Sequence, residues 1–204
     1  MFRMIKIIFN AFLLVLALIG FNAIGGQKYI ETAWSGISNF IQQRALNKAK
    51  TIGDFSNLHE EFQIDNIVGI LGYKAVLAEH KISGQRMCII DSGDKILLSR
   101  DDINSNNLED KLQELISKFK YHAISFQDIK ILSKGTMSAY GQTIPYAKFE
   151  AKSNRFPISD ITGIVASLKT SDNSEKLILS VSEKKKYSQL ITDEFFKNIK
   201  EGKV

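Results

Sequence analysis

A chain of 204 residues with 44% hydrophobic and 24% charged residues and only two prolines, Pro145 and Pro157, has the composition of an ordered protein and argues against a long disordered linker. Its formal charge of +5 falls to a mild +3 once Arg3 and Lys6 are set aside, and with no interleaving of aromatic and basic residues this argues against nucleic acid as a partner. The single Cys88 excludes an internal disulfide framework and any CxxC or multi-cysteine metal site.

From Ile7 to Gly26 the chain runs 20 residues without a charge, interrupted only by Asn10 and Asn22. A helix of that length rises about 30 Å, the thickness of a hydrocarbon core. Arg3 and Lys6 precede it, which keeps the N-terminus cytoplasmic and sends the body across the membrane. Residues 1–26 therefore read as a retained signal anchor, because the apolar run exceeds the h-region of about 7 to 15 residues found in cleaved signals. The alternative is a signal peptide cut after Gly25, with Ala23 and Gly25 as the small residues cleavage needs and a secreted body as the product.

Ile30, Trp34, Ile37 and Ile41 follow at spacings of 4, 3 and 4, so Lys28 to Lys50 reads as an amphipathic helix with Gln42, Gln43, Arg44 and Lys48 on its polar face. That stripe packs on the chain's own domain in the simplest reading. A membrane-surface helix, a stalk and an oligomerisation seam are the alternatives. After a break at Gly53 and Asp54, the apolar but poorly periodic Phe55, Leu58, Phe62 and Ile67 suggest a short helix or linker, so residues 27–66 form a connecting region.

Residues 67–204 read as one globular domain. Tyr73 to Glu79 and Arg86 to Asp91 are expected strands joined through Ser83-Gly84, and Ser92-Gly93 turns into a third, Lys95 to Ser99. Asn107 is placed to cap a helix carrying Leu108, Leu112, Leu115 and Phe119. Phe126 to Ala139 and Gln142 to Lys152 form a long hairpin turning at Tyr140-Gly141, and Ile161 to Lys169 and Lys176 to Ser182 a second around Asp172-Asn173-Ser174. Both alternating faces of Ile161 to Lys169 are apolar, as expected of an inner strand covered on two sides. A closing helix starts near Ser188 or Thr192, with Asp193 and Glu194 in its first turn, Lys197 and Lys200 in its last, and a buried stripe of Ile191, Phe195 and Ile199. The order implies an α+β fold, an antiparallel sheet flanked by helices as an α/β/α sandwich, preceded by the transmembrane and amphipathic helices.

The run from Phe126 onward, with its hairpin turning at Gly141, the second hairpin, and a closing helix carrying Tyr187-Ser188, Phe195-Phe196 and Ile199, resembles the C-terminal part of domains of the PsbP/DcrB/Mog1 type. The resemblance covers element order over about 80 residues and carries no motif. It implies a compact α/β/α sandwich in an exported or membrane-attached accessory or binding protein.

Residues able to do chemistry are scattered. His59, His80 and His122 have no metal-ligand spacing among them, and Cys88 sits in the apolar run Met87-Cys88-Ile89-Ile90, where a cysteine acts as a small hydrophobe. A nucleophilic Cys88 with His80 or His122 as base is the competing reading. Ser182 to Lys185 fits S-x-x-K without a partner motif, and Asp91 to Asp94 and Asp101-Asp102 lack the ligand order of a calcium loop. No catalytic residue, metal ligand or cofactor is assigned. Lys184, Lys185 and Lys186 are the densest basic run and, with Ile30, Trp34, Ile37 and Ile41, the candidate membrane or partner contacts. The expected function is that of a non-catalytic envelope protein, held in the membrane by Ile7 to Gly26, whose body binds another envelope protein. The alternatives are an extracytoplasmic hydrolase using Cys88 or dispersed acids, and a small-ligand or lipid-binding module.

Overall fold

A computed structural model describes residues 49–70, 73–117, 126–153 and 160–202. The expected membrane segment Ile7 to Gly26 and the helix stripe Ile30, Trp34, Ile37 and Ile41 lie outside the described residues. So does Phe119. Among the described residues no helix is long and apolar enough to cross a membrane.

The core element is one seven-stranded sheet in which every neighbouring pair is antiparallel. Strands β1 (Phe62–Ile70), β2 (Tyr73–His80) and β3 (Arg86–Gly93) form a meander. Two short helices, α1 (Arg100–Asn104) and α2 (Leu108–Ser117), carry the chain to the opposite edge. From there β4 (Phe126–Ala139), β5 (Gln142–Ser153), β6 (Asp160–Lys169) and β7 (Glu175–Glu183) return strand by strand until β7 pairs with β3. Helix α3 (Gln189–Lys197) closes the fold, and the sheet order is β1-β2-β3-β7-β6-β5-β4.

Strand alternation divides the apolar side chains between two cores. Ile64, Val76, Met87, Ile89, Ile164 and Ile178 face Phe195, Phe196 and Ile199 of the α3 region and Ile52 and Phe55 of the preceding segment. Ala75, Leu77, Cys88, Ile90, Val165 and Leu177 face Leu98, Ile103 and Leu108 of the α1–α2 region. Each large aliphatic or aromatic side chain so buried contributes about 1.5 to 3 kcal/mol by transfer. Strand β6 is buried on both faces, as its two apolar faces require.

Two glycines sit where an aromatic ring crosses the sheet. Phe149 lies opposite Gly163 in the β5–β6 register, and Tyr146 opposite Gly135 in β4–β5. A Cβ at Gly163 would come closer than 3.0 Å to the Ser180 carbonyl oxygen, with Val181 Cγ1 at 2.7 Å and Phe149 Cζ at 3.1 Å. The β4–β5 turn uses positive φ at both Tyr140 and Gly141, 53° and 72°, the geometry that matches strand twist in a two-residue hairpin.

The structure departs from expectation in four places. Phe62 to Ile70 is a strand, β1, rather than a helix or linker, and it crosses the boundary expected at residue 66. Lys95 to Ser99 is not a strand but a turn and bend leading into α1, whose Ser99 and Asp102 form a reciprocal capping box. Asp193 and Glu194 lie in mid-helix, because α3 begins at Gln189. Lys200 lies beyond the helix and pairs its backbone with Asp54 instead.

Candidate interaction surface

Antiparallel pairing gathers the β2–β3 turn, the end of β7 and the start of α3 at one end of the sheet, since Arg86 opens β3 opposite Val181 near the close of β7. The expected basic run Lys184, Lys185 and Lys186 forms the turn there. Lys184 Nζ donates to Glu150 Oε2 at 2.8 Å and Lys186 Nζ to Glu183 Oε2 at 2.9 Å, so two of the three cations already face a carboxylate. Exposed pairs of this kind add little to stability, but they oppose the positive field that an anionic surface would feel. Lys185 is exposed and makes no ion pair among the described residues.

Buried hydrogen bonds hold this end rigid. Ser188 caps α3 without using its side chain. The Gln85 amide holds the start of the helix instead: Ser188 N donates to Gln85 Oε1 at 2.8 Å, and the two hydrogens of Gln85 Nε2 are shared among Ser188 O at 3.0 Å, Thr192 Oγ1 at 2.8 Å and Ser180 Oγ at 3.0 Å. Gln85 is fully buried, so removing it orphans polar groups that water cannot reach. A Gln85→Leu variant is expected to lose about 2 kcal/mol in urea unfolding.

His80 locks the turn from the other side. Its ring packs on Phe62 with centroids 5.2 Å apart, Nδ1 meets Ser83 Oγ at 2.9 Å, and Nε2 meets Glu61 Oε2 at 3.2 Å. Serine, histidine and glutamate thus stand in triad order, but acyl transfer also needs amide donors aimed at a developing oxyanion. The amides of Ser83, Gly84 and Gln85 are already spent on His80 Nδ1, His80 O and Ser83 Oγ. The arrangement braces a hairpin tip.

On this braced end stand two large aliphatic side chains that the core does not take: Ile82, 76% exposed at the tip of the β2–β3 turn, and Leu190, 79% exposed in the first turn of α3. Both were legible as misfits in the sequence. Ile82 interrupts the polar turn Lys81 to Gly84, and Leu190 lies off the stripe of Ile191, Phe195 and Ile199.

The other candidates are placed elsewhere. Cys88 is buried opposite Leu77 and Leu179, and burial pushes its thiol up to about 12. It faces the α1–α2 core, while His80 packs with Phe62 on the α3 side, so Cys88 and His80 do not form the pair expected of a thiol nucleophile and its base. A maleimide is expected to label Cys88 only in denaturant; labelling of native protein within minutes at pH 7.5 would contradict this placement. His59 is exposed and its Nδ1 lies 3.9 Å from Glu61 Oε2. His122 lies outside the described residues, among which no group of three or more His, Cys, Asp or Glu side chains is placed to hold a metal ion.

Charged residues inside the strands form a second polar cluster. Arg86 pairs with Asp65, and its Nη2 lies 2.9 Å from Glu79 Oε2; their side chains are 17%, 20% and 11% exposed. Asp65 occupies a bulge in β1, where the register shifts between Ile64 and Asn66. Compared with known proteins, the chain matches no family model, and no curated protein is detectably similar to it.

Proposed function

We propose that this protein is a non-catalytic accessory protein of the cell envelope, attached by its apolar N-terminal segment, that binds another envelope protein through the end bearing Ile82 and Leu190. The observation that carries the reading is the exposure of those two side chains on an end braced by Gln85 and His80. Exposed aliphatic residues on a rigid support lose little entropy on binding and bury well against an apolar partner. Lys184 and Lys186 favour a protein over a lipid surface, because their charge is already opposed by Glu150 and Glu183. The sequence supports the membrane attachment through the uncharged run from Ile7 to Gly26 behind Arg3 and Lys6. The buried Cys88 weighs against the hydrolase alternative.

Photocrosslinking residues at positions 82 and 190 of the full chain, in its native membrane, are expected to give one shared protein adduct that position 101 on α1 does not give. Ile82→Asp and Leu190→Asp are expected to abolish the adduct while changing stability by no more than about 0.5 kcal/mol, as surface substitutions do. Equal adducts at all three positions would overturn the reading. Reporter fusions active on only one side of the membrane test the topology separately.

A further inference from the structure

We propose that residues 200–202 form a latch that holds residues 49–58 against the body, and that opening the latch frees this segment while the seven-stranded sheet stays folded. The segment is where the described chain enters the body, and it belongs to no named strand. Ala49, Ile52 and Phe55 are buried in the core on the α3 side, and Tyr140 Oη donates to Ile52 O at 3.0 Å. The C-terminal tail meets the same segment along its length. Asp54 N donates to Lys200 O at 2.8 Å and Lys200 N to Asp54 O at 3.3 Å. A Cβ at Gly53 would lie 2.9 Å from Ile199 Cγ2, and a Cβ at Gly202 would come closer than 3.0 Å to the Lys50 carbonyl oxygen, so the absence of a side chain at both positions is what lets tail and segment lie so close. The tail is pinned in turn by Glu201, whose carboxylate accepts from Gln142 Nε2 at 3.3 Å, from Ser171 N at 3.2 Å and from Ser171 Oγ.

The segment's own backbone bonds are short-range, Ile52 N and Gly53 N to Ala49 O and Leu58 N to Phe55 O, so its side chains and the tail are what seat it. Strands β6 and β7, by contrast, are joined by a ladder from Ile161–Glu183 to Lys169–Glu175. A segment outside every ladder opens at lower cost than the sheet it rests on. Freed and extended, residues 49–58 would reach up to about 35 Å, at about 3.3 to 3.6 Å per residue. On the premise of the membrane attachment proposed above, that length sets how far the body can stand from the bilayer; the latch itself does not depend on the premise.

The test is hydrogen exchange of the full chain in nonionic detergent. Gly202→Ala drives a methyl against the Lys50 carbonyl oxygen, and Glu201→Ala removes the pin to Ser171 and Gln142. Each is expected to lower protection of residues 52–58 about tenfold while peptides covering β6 and β7 keep theirs. Unchanged protection of residues 52–58 in either variant, or an equal loss in β6 and β7, would overturn the latch. The unmodified chain decides the point even where a variant folds poorly: in rising urea, residues 52–58 are expected to exchange through an opening less sensitive to urea than that of β6 and β7, and one common sensitivity would overturn the proposal. Exchange in detergent reads the latch alone, and the reporter fusions read the membrane attachment, so failure of one is distinguishable from failure of the other.

Discussion

Gly163→Ala is expected to cost about 3 kcal/mol or more and to lower the melting temperature by about 10 °C, read by calorimetry on the full chain in detergent. The added methyl meets the Ser180 carbonyl oxygen and Val181 Cγ1, both on β7, and the Phe149 ring on β5. A flexible side chain could swing aside from such a contact, but a backbone carbonyl in the sheet interior cannot. Moving β7 away from β6 would break a ladder that runs from Ile161–Glu183 to Lys169–Glu175. Gly93→Ala makes the comparison: its Cβ meets nothing within 4 Å, although its φ of 62° adds backbone strain, so its loss should be smaller, about 1 kcal/mol. Equal losses at the two positions would show that the close approach at Gly163 is not what limits it.

The second large effect is at Arg86. Arg86→Met keeps the length of the side chain but takes the guanidinium from two largely buried carboxylates, and at pH 7.5 this is expected to cost about 3 to 5 kcal/mol in urea unfolding. The deficit should shrink at pH 5, because burial already raises the Asp65 carboxyl and a protonated Asp65 leaves no charge behind when the guanidinium is removed. A deficit that is the same at both pH values, or below about 1 kcal/mol, would mean that solvent rather than Arg86 balances the two acids. Asp91 sets the opposite trend. Burial acts to raise its carboxyl, but hydrogen bonds from Ser174 and Gly93 and the charge of Lys176 outweigh burial and hold it below the ordinary range. Its contribution is present above the ordinary carboxylate value and is lost as the pH falls below it, the opposite sign to that of Asp65.

How the fold was legible depends on the element. The hairpin of β4 and β5 could be read to within a residue, because long runs flank a Tyr-Gly turn that needs positive φ at both positions. Cys88 could be placed in the core from its apolar neighbours alone. Strand β1 could not be read: the bulge at Asp65 shifts the pleat by one residue, so Phe62, Ile64 and Ile67 lose the strict alternation that signals a strand. Lys95 to Ser99 misled for a different reason. Its apolar residues look like a third strand of a meander, but β3 already has β2 on one side and β7 on the other, and no edge remains for it. Leu98 enters the core from an irregular segment instead, and Ile96 is left exposed.

The sequence by itself determined the composition of an α+β chain, the lengths of its long strands, the place of Cys88 in an apolar strand, and the uncharged opening run on which the expectation of membrane attachment stands. Each of these follows from side chains near one another along the chain, through period, turn chemistry and local hydrophobicity. Only the tertiary structure decided that β7 slots against β3, that Gln85 bonds the Ser188 backbone 103 positions further along, and that Asp65, Glu79 and Arg86 share one site. Those contacts join residues that no local periodicity relates. They form because the crossing through α1 and α2 sends the chain to the far edge and the returning meander brings β7 back to β3.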